Sequence, residues 1–326
     1  MSVQDTSASI VASPSLAPSS HGYLFGFALL AMVVLTGPLY AFPVFLIVAM
    51  SFIIFASGFN LLLGFAGLLS FGHAAYFGAG AYLTAHSTKV LGLQPEFALI
   101  IGVATAAFLG LIVGVLAIRR NGISFAMITL GLAQLVFYYV LTAAWTGGAE
   151  NGIQSVPRGM LFGIIDLRND TAMYYFAATI FLLSIFVVYR VTHSPFGQVL
   201  KAIRDNEQRA ISLGYEVRAF KITVFVMSAA LAGLGGGLKA MALQFATATD
   251  VHWMMSGEVI LMTLVGGVGT VFGPVVGGFL VVTMQNYLAS LGAWVMAIQG
   301  AIFIVAVLVF RQGIVGFLEK RTGLKL

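Results

Sequence analysis

Long apolar stretches separated by short polar turns make up most of this chain. A helix needs about 20 apolar residues to cross the ~30 Å hydrocarbon layer of a membrane. Stretches of about that length are predicted at 23–40, 43–63, 66–86, 97–118, 123–144, 171–189, 222–245 and 293–310. This spacing predicts an all-α protein, a polytopic helical bundle with lipid around it.

The apolar stretch 258–289 is too long for one simple crossing and is interrupted by glycine and proline. Irregular backbone at membrane depth is tolerated only where protein or water lines it. We therefore expect this stretch to enter and return, with a turn near 269–274. Residues 64–80 have a similar glycine density, and one broken segment in each half suggests a diverged internal repeat. The predicted bundle has about eight to ten membrane segments, including short or broken glycine-rich helices.

Composition favours a membrane protein over a soluble one. The 326 residues are 60% hydrophobic and only 8% charged, with a mean hydropathy of +1.01. Soluble domains carry about 25% charged residues. The absence of cysteine excludes disulfides, thiol catalysis and cysteine-ligated metal. Residues 1–21 lack the basic start of a signal peptide, so they are predicted to be a disordered cytoplasmic tail before a membrane domain at 22–311.

Charged residues are confined to a few places. None occurs between Thr6 and Thr88, while 12 of the 16 Lys and Arg residues fall at 119–120, 190–221 and 311–325. Cytoplasmic loops of membrane proteins carry an excess of Lys and Arg. These regions, including the basic tail 312–326, are therefore predicted to lie inside a bacterial inner membrane, with both termini cytoplasmic. The net charge of +5 then reflects topology and not nucleic-acid binding.

The charged loop 190–221 is predicted to be structured. Ser194 followed by Pro195 is a good helix start, because Ser caps free N–H groups and Pro suits the first helical position. The helix is expected to run to Gly214, with Asp205 and Arg209 paired at i,i+4. Two interpretations stay open: a surface helix on anionic lipid or a docking element for a soluble partner. The external loop 145–170 is long enough only for a small cap or surface helix.

Four groups of residues resemble the permease subunits of branched-chain amino acid ABC importers, the LivM-like family. They are Ser194-Pro195-Phe196-Gly197 with Lys201-Ala202-Ile203-Arg204, Glu207, Ala210 and Gly214; Asn60 to Gly67 with Leu69-Ser70-Phe71-Gly72-His73-Ala74; Gly122-Ile123-Ser124-Phe125-Ala126-Met127; and Glu258 to Met262 with Gly266-Gly267-Val268-Gly269. The resemblance covers about 42–310. The chain departs from it at Arg209-Ala210, where the older importer consensus has two alanines.

The resemblance implies an importer with a second homologous permease subunit, two cytoplasmic ATPases and an external solute-binding protein. Arg204, Glu207, Ala210 and Gly214 are then the ATPase-coupling residues. ATP and Mg would be bound by the partner ATPases, because this chain has no phosphate-binding Gly-x-x-x-x-Gly-Lys-Ser/Thr loop. The chain itself is expected to be neither an enzyme nor a cofactor or metal binder. Closure of the ATPases is expected to pull the loop and tilt the spans 171–189 and 222–245.

The substrate is expected to be a branched-chain or other hydrophobic amino acid, with urea or short amides as an alternative. A secondary transporter driven by an ion gradient is a further alternative, although such proteins usually carry ionisable residues at membrane depth. His73 is the one such residue near a predicted span centre. An intramembrane enzyme is disfavoured because the spans lack paired carboxylates, His clusters and metal-ligand spacings.

Three polar residues within the spans are candidates for lining the pathway: Asn60, His73 and Gln134. Each also has a structural interpretation, since amide and imidazole groups hydrogen-bond neighbouring membrane helices. For all three, packing between helices is the first interpretation and contact with substrate the second.

Asp250, His252 and Glu258 are predicted to form an external polar patch where a binding protein docks. Glu258 has a competing structural interpretation, because an acidic residue in the first turn of a helix is favoured by the helix dipole. Lys239 lies 18 positions after Lys221, about 27 Å along a helix at 1.5 Å per residue. We expect its ammonium group to snorkel to the outer interface.

Overall fold

The computed structural model describes residues 20–147, 151–289, 294–309 and 313–322. Its helices are α1 Ser20–Thr36, α2 Pro43–Asn60, α3 His73–Lys89, α4 Pro95–Ala117, α5 Gly122–Thr142, α6 Asp170–Thr192, α7 Pro195–Asp205, α8 Glu207–Ser212, α9 Val217–Leu243, α10 Trp253–Gly266, α11 Gly273–Leu288, α12 Trp294–Val309 and α13 Gly313–Thr322. Residues 1–19 of the predicted tail 1–21 lie outside the described part of the chain. Residues 311–312 and 323–326, at the end of the predicted membrane domain and in the predicted basic tail, also lie outside it. The all-α membrane bundle is confirmed.

Short elements join these helices. A π-helix, Leu61–Phe65, continues α2, and 3-10 turns occupy Gly37–Leu39, Ala144–Thr146 and Ala248–Asp250. Two strands of two residues each, β1 Met160–Leu161 and β2 Ile165–Asp166, form an antiparallel hairpin. The described residues contain no larger sheet. Helices therefore make up most of the described membrane body.

Within the described ranges, the helices α1 to α6 and α9 to α12 pack together as the body of the bundle. We call the end with α7, α8 and α13 the charged face, and the end with the strand hairpin the hairpin face. The Tyr23 ring lies 4.8 Å from that of His193, so α1 starts at the charged face. Lys89 Nζ donates to Gln154 O at 2.7 Å, so α3 ends at the hairpin face. Six of the helices in the described part of the chain are long and apolar enough to cross a membrane.

The centre of the bundle is α9, which packs against α2, α3 and α4 through glycine. A Cβ added at Gly80 would overlap the Gly233 backbone, and one added at Gly236 would overlap Phe77 O. Small residues let membrane helices approach until their backbones touch. The α3 and α9 backbones are therefore in direct contact, which fixes the centre of the molecule.

Both predicted breaks are present. The backbone is not helical at 267–272, where Gly267 has φ +131° and Gly269 has φ +79°. This turn joins α10 and α11, of 14 and 16 residues, which run antiparallel. The second break follows the π-helix at 67–72, so α3 begins at His73 and not at 66 as the apolar pattern predicted. The first residue of each break is a glycine with positive φ, Gly67 and Gly267, because other residues rarely adopt that conformation.

The loop at the hairpin face forms a small cap. Ile153 pairs with Ala246 in an isolated β-bridge. Arg158, only 7% exposed, donates to Ala242 O at 2.6 Å and to Asp170 Oδ1 at 2.5 Å. The last carbonyls of a helix have no partner within it, so Arg158 caps the end of α9. Residues 148–150 of this loop lie outside the described part of the chain.

Candidate functional site

The charged loop folds as two helices and not as the single helix that the sequence predicted. Ser194 caps α7 as expected, its Oγ accepting from Gly197 N at 3.3 Å. The helix stops at Asn206, whose side chain accepts from Arg209 N at 3.0 Å and starts α8. Asn competes with the helical backbone in this way. The predicted pair of Asp205 and Arg209 is therefore wrong, because the break removes the i,i+4 geometry. Asp205 pairs with Arg204 at 3.2 Å.

Glu207 is held in a three-residue clasp on the inner side of α8. Its Oε1 accepts from Lys221 Nζ at 2.7 Å and its Oε2 from Asn121 Nδ2 at 3.1 Å. Asn121 Oδ1 in turn accepts from Lys221 Nζ at 3.1 Å. The Lys221 side chain is 6% exposed, so its charge is compensated within the clasp. The clasp ties α8 to α9 and to the turn before α5.

The clasp residues Asn121 and Lys221 were not singled out from the sequence. Lys221 follows Glu207 by 14 positions, and Asn121 precedes it by 86. No helical spacing relates residues so far apart. The one local signal is that Asn121 directly follows the Arg119 and Arg120 pair at the end of a span.

Two further predicted coupling residues, Ala210 and Gly214, differ in exposure. Ala210 is 2% exposed and packs with Ile203 and Val217, so it holds α8 against the body. Gly214 is exposed and has φ +88°, a conformation that glycine adopts readily and other residues rarely do. Gly214 therefore ends the loop helices and turns the chain towards α9.

Three large apolar side chains project from the loop into solvent. Ile211 is 50% exposed, Leu213 70% and Tyr215 43%. We call them the apolar patch. Beside them is a cleft of about 550 Å³. Its lining residues are Ile118, Glu207, Ile211, Glu216, Val217, Arg218, Ala219, Lys221 and Ile222. The charged face thus presents the apolar patch next to a cleft whose lining includes four charged residues, Glu207, Glu216, Arg218 and Lys221.

Arg204 points from α7 into the membrane body. Its Nη1 donates to Gly64 O in the π-helix, while its Nε and Nη2 contact Asp205. Gly64 lies at the end of the π-helix, where carbonyls lack a partner along the chain. Arg204 supplies that partner.

Asn60 is fully buried and joins the two breaks. Its Nδ2 donates to Thr270 O at 2.8 Å, and its Oδ1 accepts from Gly269 N at 2.9 Å. Both functions of the amide are thus used on the glycine turn at 267–272. The contact supports the packing interpretation of Asn60. It also brings the glycine turn against the π-helix.

His73 is buried at the start of α3 in a ring of aromatic groups. Ser228 Oγ donates its proton to Gly58 O at 2.5 Å, so His73 Nε2 must donate to Ser228 Oγ at 2.7 Å. Its Nδ1 is then an unprotonated acceptor, without a partner among the described residues. A neutral imidazole that links α3, α9 and α2 matches the packing interpretation.

Gln134, the third pathway candidate, is half-buried on α5. Its side chain forms no hydrogen bond within the described part of the chain. It lies on a different helix from Asn60 and His73, and no hydrogen bond joins it to either of them there. The structure therefore does not gather the three candidates into one polar site.

The predicted external patch is not a continuous surface. Asp250 is completely buried and binds Lys239. The prediction that Lys239 snorkels is therefore wrong, because α9 is enclosed by other helices and its ammonium group finds a carboxylate inside the protein. His252 is half-buried and accepts from Met254 N at 3.4 Å. Glu258 is the sixth residue of α10 and accepts from Gln285 Nε2 at 3.0 Å.

Metal chemistry has no visible basis in the part of the chain that the structure describes. No three His, Cys, Asp or Glu residues there could hold a metal ion together. The charged face carries the apolar patch and the clasp, and the two broken segments meet behind it.

Known proteins share this sequence pattern. A family profile described as "Branched-chain amino acid transport system / permease component" matches residues 41–307. The high-affinity branched-chain amino acid transport system permease protein LivM of Escherichia coli (strain K12) is 27% identical over 298 residues, 85% of this chain and 70% of LivM. LivM of Salmonella typhimurium (strain LT2) has the same identity and coverage.

The autoinducer 2 import system permease protein LsrC of Yersinia pseudotuberculosis serotype O:3 matches a smaller part of this chain than LivM does. It is 27% identical over 221 residues, 66% of this chain and 60% of LsrC. No solved structure matches this chain. Because the profile spans well over half of its residues, the chain belongs to the family of permease components of branched-chain amino acid transport systems.

Proposed function

We propose that this chain is the transmembrane permease subunit of an ATP-driven (ABC) importer for branched-chain or other hydrophobic amino acids. It forms the translocation pathway together with a second, homologous permease subunit. Two cytoplasmic ATPases dock on the charged face, and a solute-binding protein delivers substrate at the hairpin face. The charged face then lies in the cytosol, and both chain termini lie there with it.

The observation that carries this proposal is the apolar patch of Ile211, Leu213 and Tyr215 on an otherwise charged loop. Exposed apolar clusters rimmed by polar groups mark protein interfaces. The loop is fixed by the clasp at Glu207 and by the buried Ala210. An apolar patch on a rigid loop can transmit force from a soluble partner, whereas one on a flexible link cannot.

Two observations favour a partner ATPase over an ion gradient as the energy source. The sequence contains no phosphate-binding loop, so ATP has to be bound elsewhere. Ion-coupled transporters use ionisable groups at membrane depth. Here His73 is hydrogen-bonded among aromatic rings, and the Lys239 charge is already compensated by Asp250. Neither group is placed to bind and release a coupling ion.

The substrate assignment rests on the LivM relatives, whose names state branched-chain amino acid transport. The LsrC relatives, named for import of autoinducer 2, support autoinducer 2 as a second candidate. In this architecture the external binding protein presents the solute, so a single permease sequence fits either substrate class.

Reconstitution tests the proposal. The chain is placed in proteoliposomes with its partner permease and ATPases, with ATP on the ATPase side and the binding protein on the other. Uptake of leucine, isoleucine and valine is expected only when both ATP and the binding protein are present. Uptake of autoinducer 2 in place of the amino acids would change the substrate but keep the mechanism. Uphill transport by the chain alone, driven by an ion gradient, would overturn the proposal.

A further inference from the structure

Helix α7 touches the membrane body through side chains and not only through its covalent links to α6 and α8. Arg204 Nη1 donates to Gly64 O, and Lys201 Nζ lies 5.5 Å from the centre of the Phe65 ring. Gly67, with φ +71°, passes so close that an added Cβ would lie 2.9 Å from Arg204 Cγ. The π-helix and the start of the following break therefore lie directly against α7.

The π-helix in turn touches the glycine turn at 267–272. A Cβ added at Gly64 would lie 2.5 Å from Gly269 N and 2.8 Å from Gly269 Cα, so the two backbones are in contact. Asn60 holds the same turn through Gly269 N and Thr270 O. Two broken segments, more than 200 positions apart in the chain, are thus joined at one point, and Arg204 attaches that point to α7.

The alternative route for motion, a tilt of α9, is obstructed by its packing. Gly235 faces Ser51 O, and a Cβ there would lie 2.5 Å from this oxygen; Gly236 faces Phe77 O still more closely. Close-packed interiors transmit strain and resist continuous deformation. The breaks at 67–72 and 267–272 lack the regular backbone hydrogen bonds of a helix, and such segments open at lower free energy than core helices.

We propose that Arg204 and Asn60 are positioning residues that pass a displacement of α7 to the glycine turn between α10 and α11. The proposal rests on the proposed function, because the displacement comes from the docked ATPase. When α7 moves, Arg204 carries Gly64 with it, and the amide of Asn60 carries Gly269 and Thr270. The turn then moves the ends of α10 and α11.

Arginine suits this position for a geometric reason. Its planar guanidinium group presents several donors at fixed angles, so Arg204 reaches Gly64 O with one nitrogen while it contacts Asp205 with the others. A lysine keeps the charge but supplies a single flexible ammonium group. Arg204→Lys should therefore couple motion less tightly than the native residue, although the charge of the loop is unchanged.

Uptake per ATP hydrolysed is the first test, measured in the reconstituted full complex with its ATPases and binding protein. Arg204→Ala is expected to leave ATPase co-purification unchanged and ATP hydrolysis within about twofold, while uptake falls at least tenfold. Arg204→Lys is expected to lie between Arg204→Ala and the native complex. Arg190→Ala, which removes an exposed arginine from the end of α6 at the same face, is the matched control and should keep the native ratio.

A second measurement detects movement of the turn itself. The chain has no cysteine, so Val268→Cys, at a position 40% exposed on the glycine turn, provides a unique thiol. Its reaction with a maleimide is expected to change with ATP in the native background and to lose that change with Arg204→Lys or Arg204→Ala. If the folded complex with Arg204→Ala forms in low yield, Arg204→Lys alone serves both measurements.

The outcomes separate the two proposals. Uptake and hydrolysis that fall in parallel, or a thiol response that persists without Arg204, would overturn the relay and leave the ATP-driven importer intact. If the native chain neither retains an ATPase nor imports with ATP, the proposed function itself fails. A lost thiol response together with a reduced ratio of uptake to hydrolysis supports the relay.

Discussion

Lys239 and Asp250 form a buried ion pair that fastens the end of α9 to the turn before α10. Asp250 is fully buried and Lys239 is 8% exposed. The rings of Phe52, Phe77 and Phe245 lie 5.9–6.0 Å from the ammonium group. In surroundings this apolar each charge depends on the other, because an unpaired buried charge is costly.

Removing one member of this pair should destabilise the protein more than removing both. Lys239→Met or Asp250→Asn alone is expected to cost about 3–5 kcal/mol, because a lone charge or an unmatched polar group stays buried. The double variant should recover part of that loss. Thermal unfolding of the detergent-purified chain measures all three variants. A double variant no more stable than either single one would contradict the ion pair.

Glu207 should control the order of the charged loop. Glu207→Ala leaves Lys221, which is 6% exposed, without its carboxylate. The clasp is expected to lose about 1 kcal/mol or more, which raises the open population about fivefold. Trypsin cleavage at Arg209 or Arg218 should therefore accelerate by about that factor.

The control for the loop measurement is Glu216→Ala, which removes an exposed carboxylate of the same loop. Its cleavage rate should match that of the native chain. Glu207→Gln should fall between the two, because it keeps the acceptor oxygen but loses the charge. Equal cleavage of native and Glu207→Ala chains would show that the clasp does not hold α8.

The sequence was sufficient for features whose signal is local. A turn near 269–274 was predicted from glycine density within one apolar stretch, within two residues of the glycine turn at 267–272. The cap at Ser194 was predicted from two adjacent residues. Positive φ at Gly267 and Gly269 and the bond from Gly197 N to Ser194 Oγ are short-range events. Such features depend little on the rest of the fold.

Features that depend on packing were not predictable in this way. The Asn60 amide binds Thr270, 210 positions away, and only the meeting of two broken segments brings them together. The snorkelling rule applies to lysines near lipid, but the burial of α9 could not be read from its composition. Lys239 therefore pairs with Asp250 inside the protein, which also removes Asp250 from the predicted docking surface.

The apolar patch should decide whether an ATPase stays bound. Leu213→Ser and Ile211→Ser change side chains that are 70% and 50% exposed, so the fold should tolerate them. Central apolar anchors of an interface contribute about 2 kcal/mol or more. The double variant with Ile211→Ser and Leu213→Ser is therefore expected to lower ATPase co-purification at least tenfold. Ile164→Ser, at a residue 85% exposed on the hairpin face, is the control. If the double variant retains the ATPase as well as the native chain does, the ATPase docks elsewhere.

The contact between α3 and α9 makes opposite predictions for two glycines. A Cβ at Gly236 would overlap Phe77 O, and α9 cannot retreat because Gly235 abuts Ser51 O on another side. Overpacking a filled core costs about 1–3 kcal/mol, so Gly236→Ala should lower the unfolding temperature. Gly131 on α5 has no atom within 4 Å of an added Cβ, and alanine is favoured over glycine in a helix by about 0.8–1.0 kcal/mol. Gly131→Ala should therefore unfold at the native temperature or above. If both variants unfold alike in detergent, α3 and α9 do not meet backbone to backbone, and α9 is free to tilt.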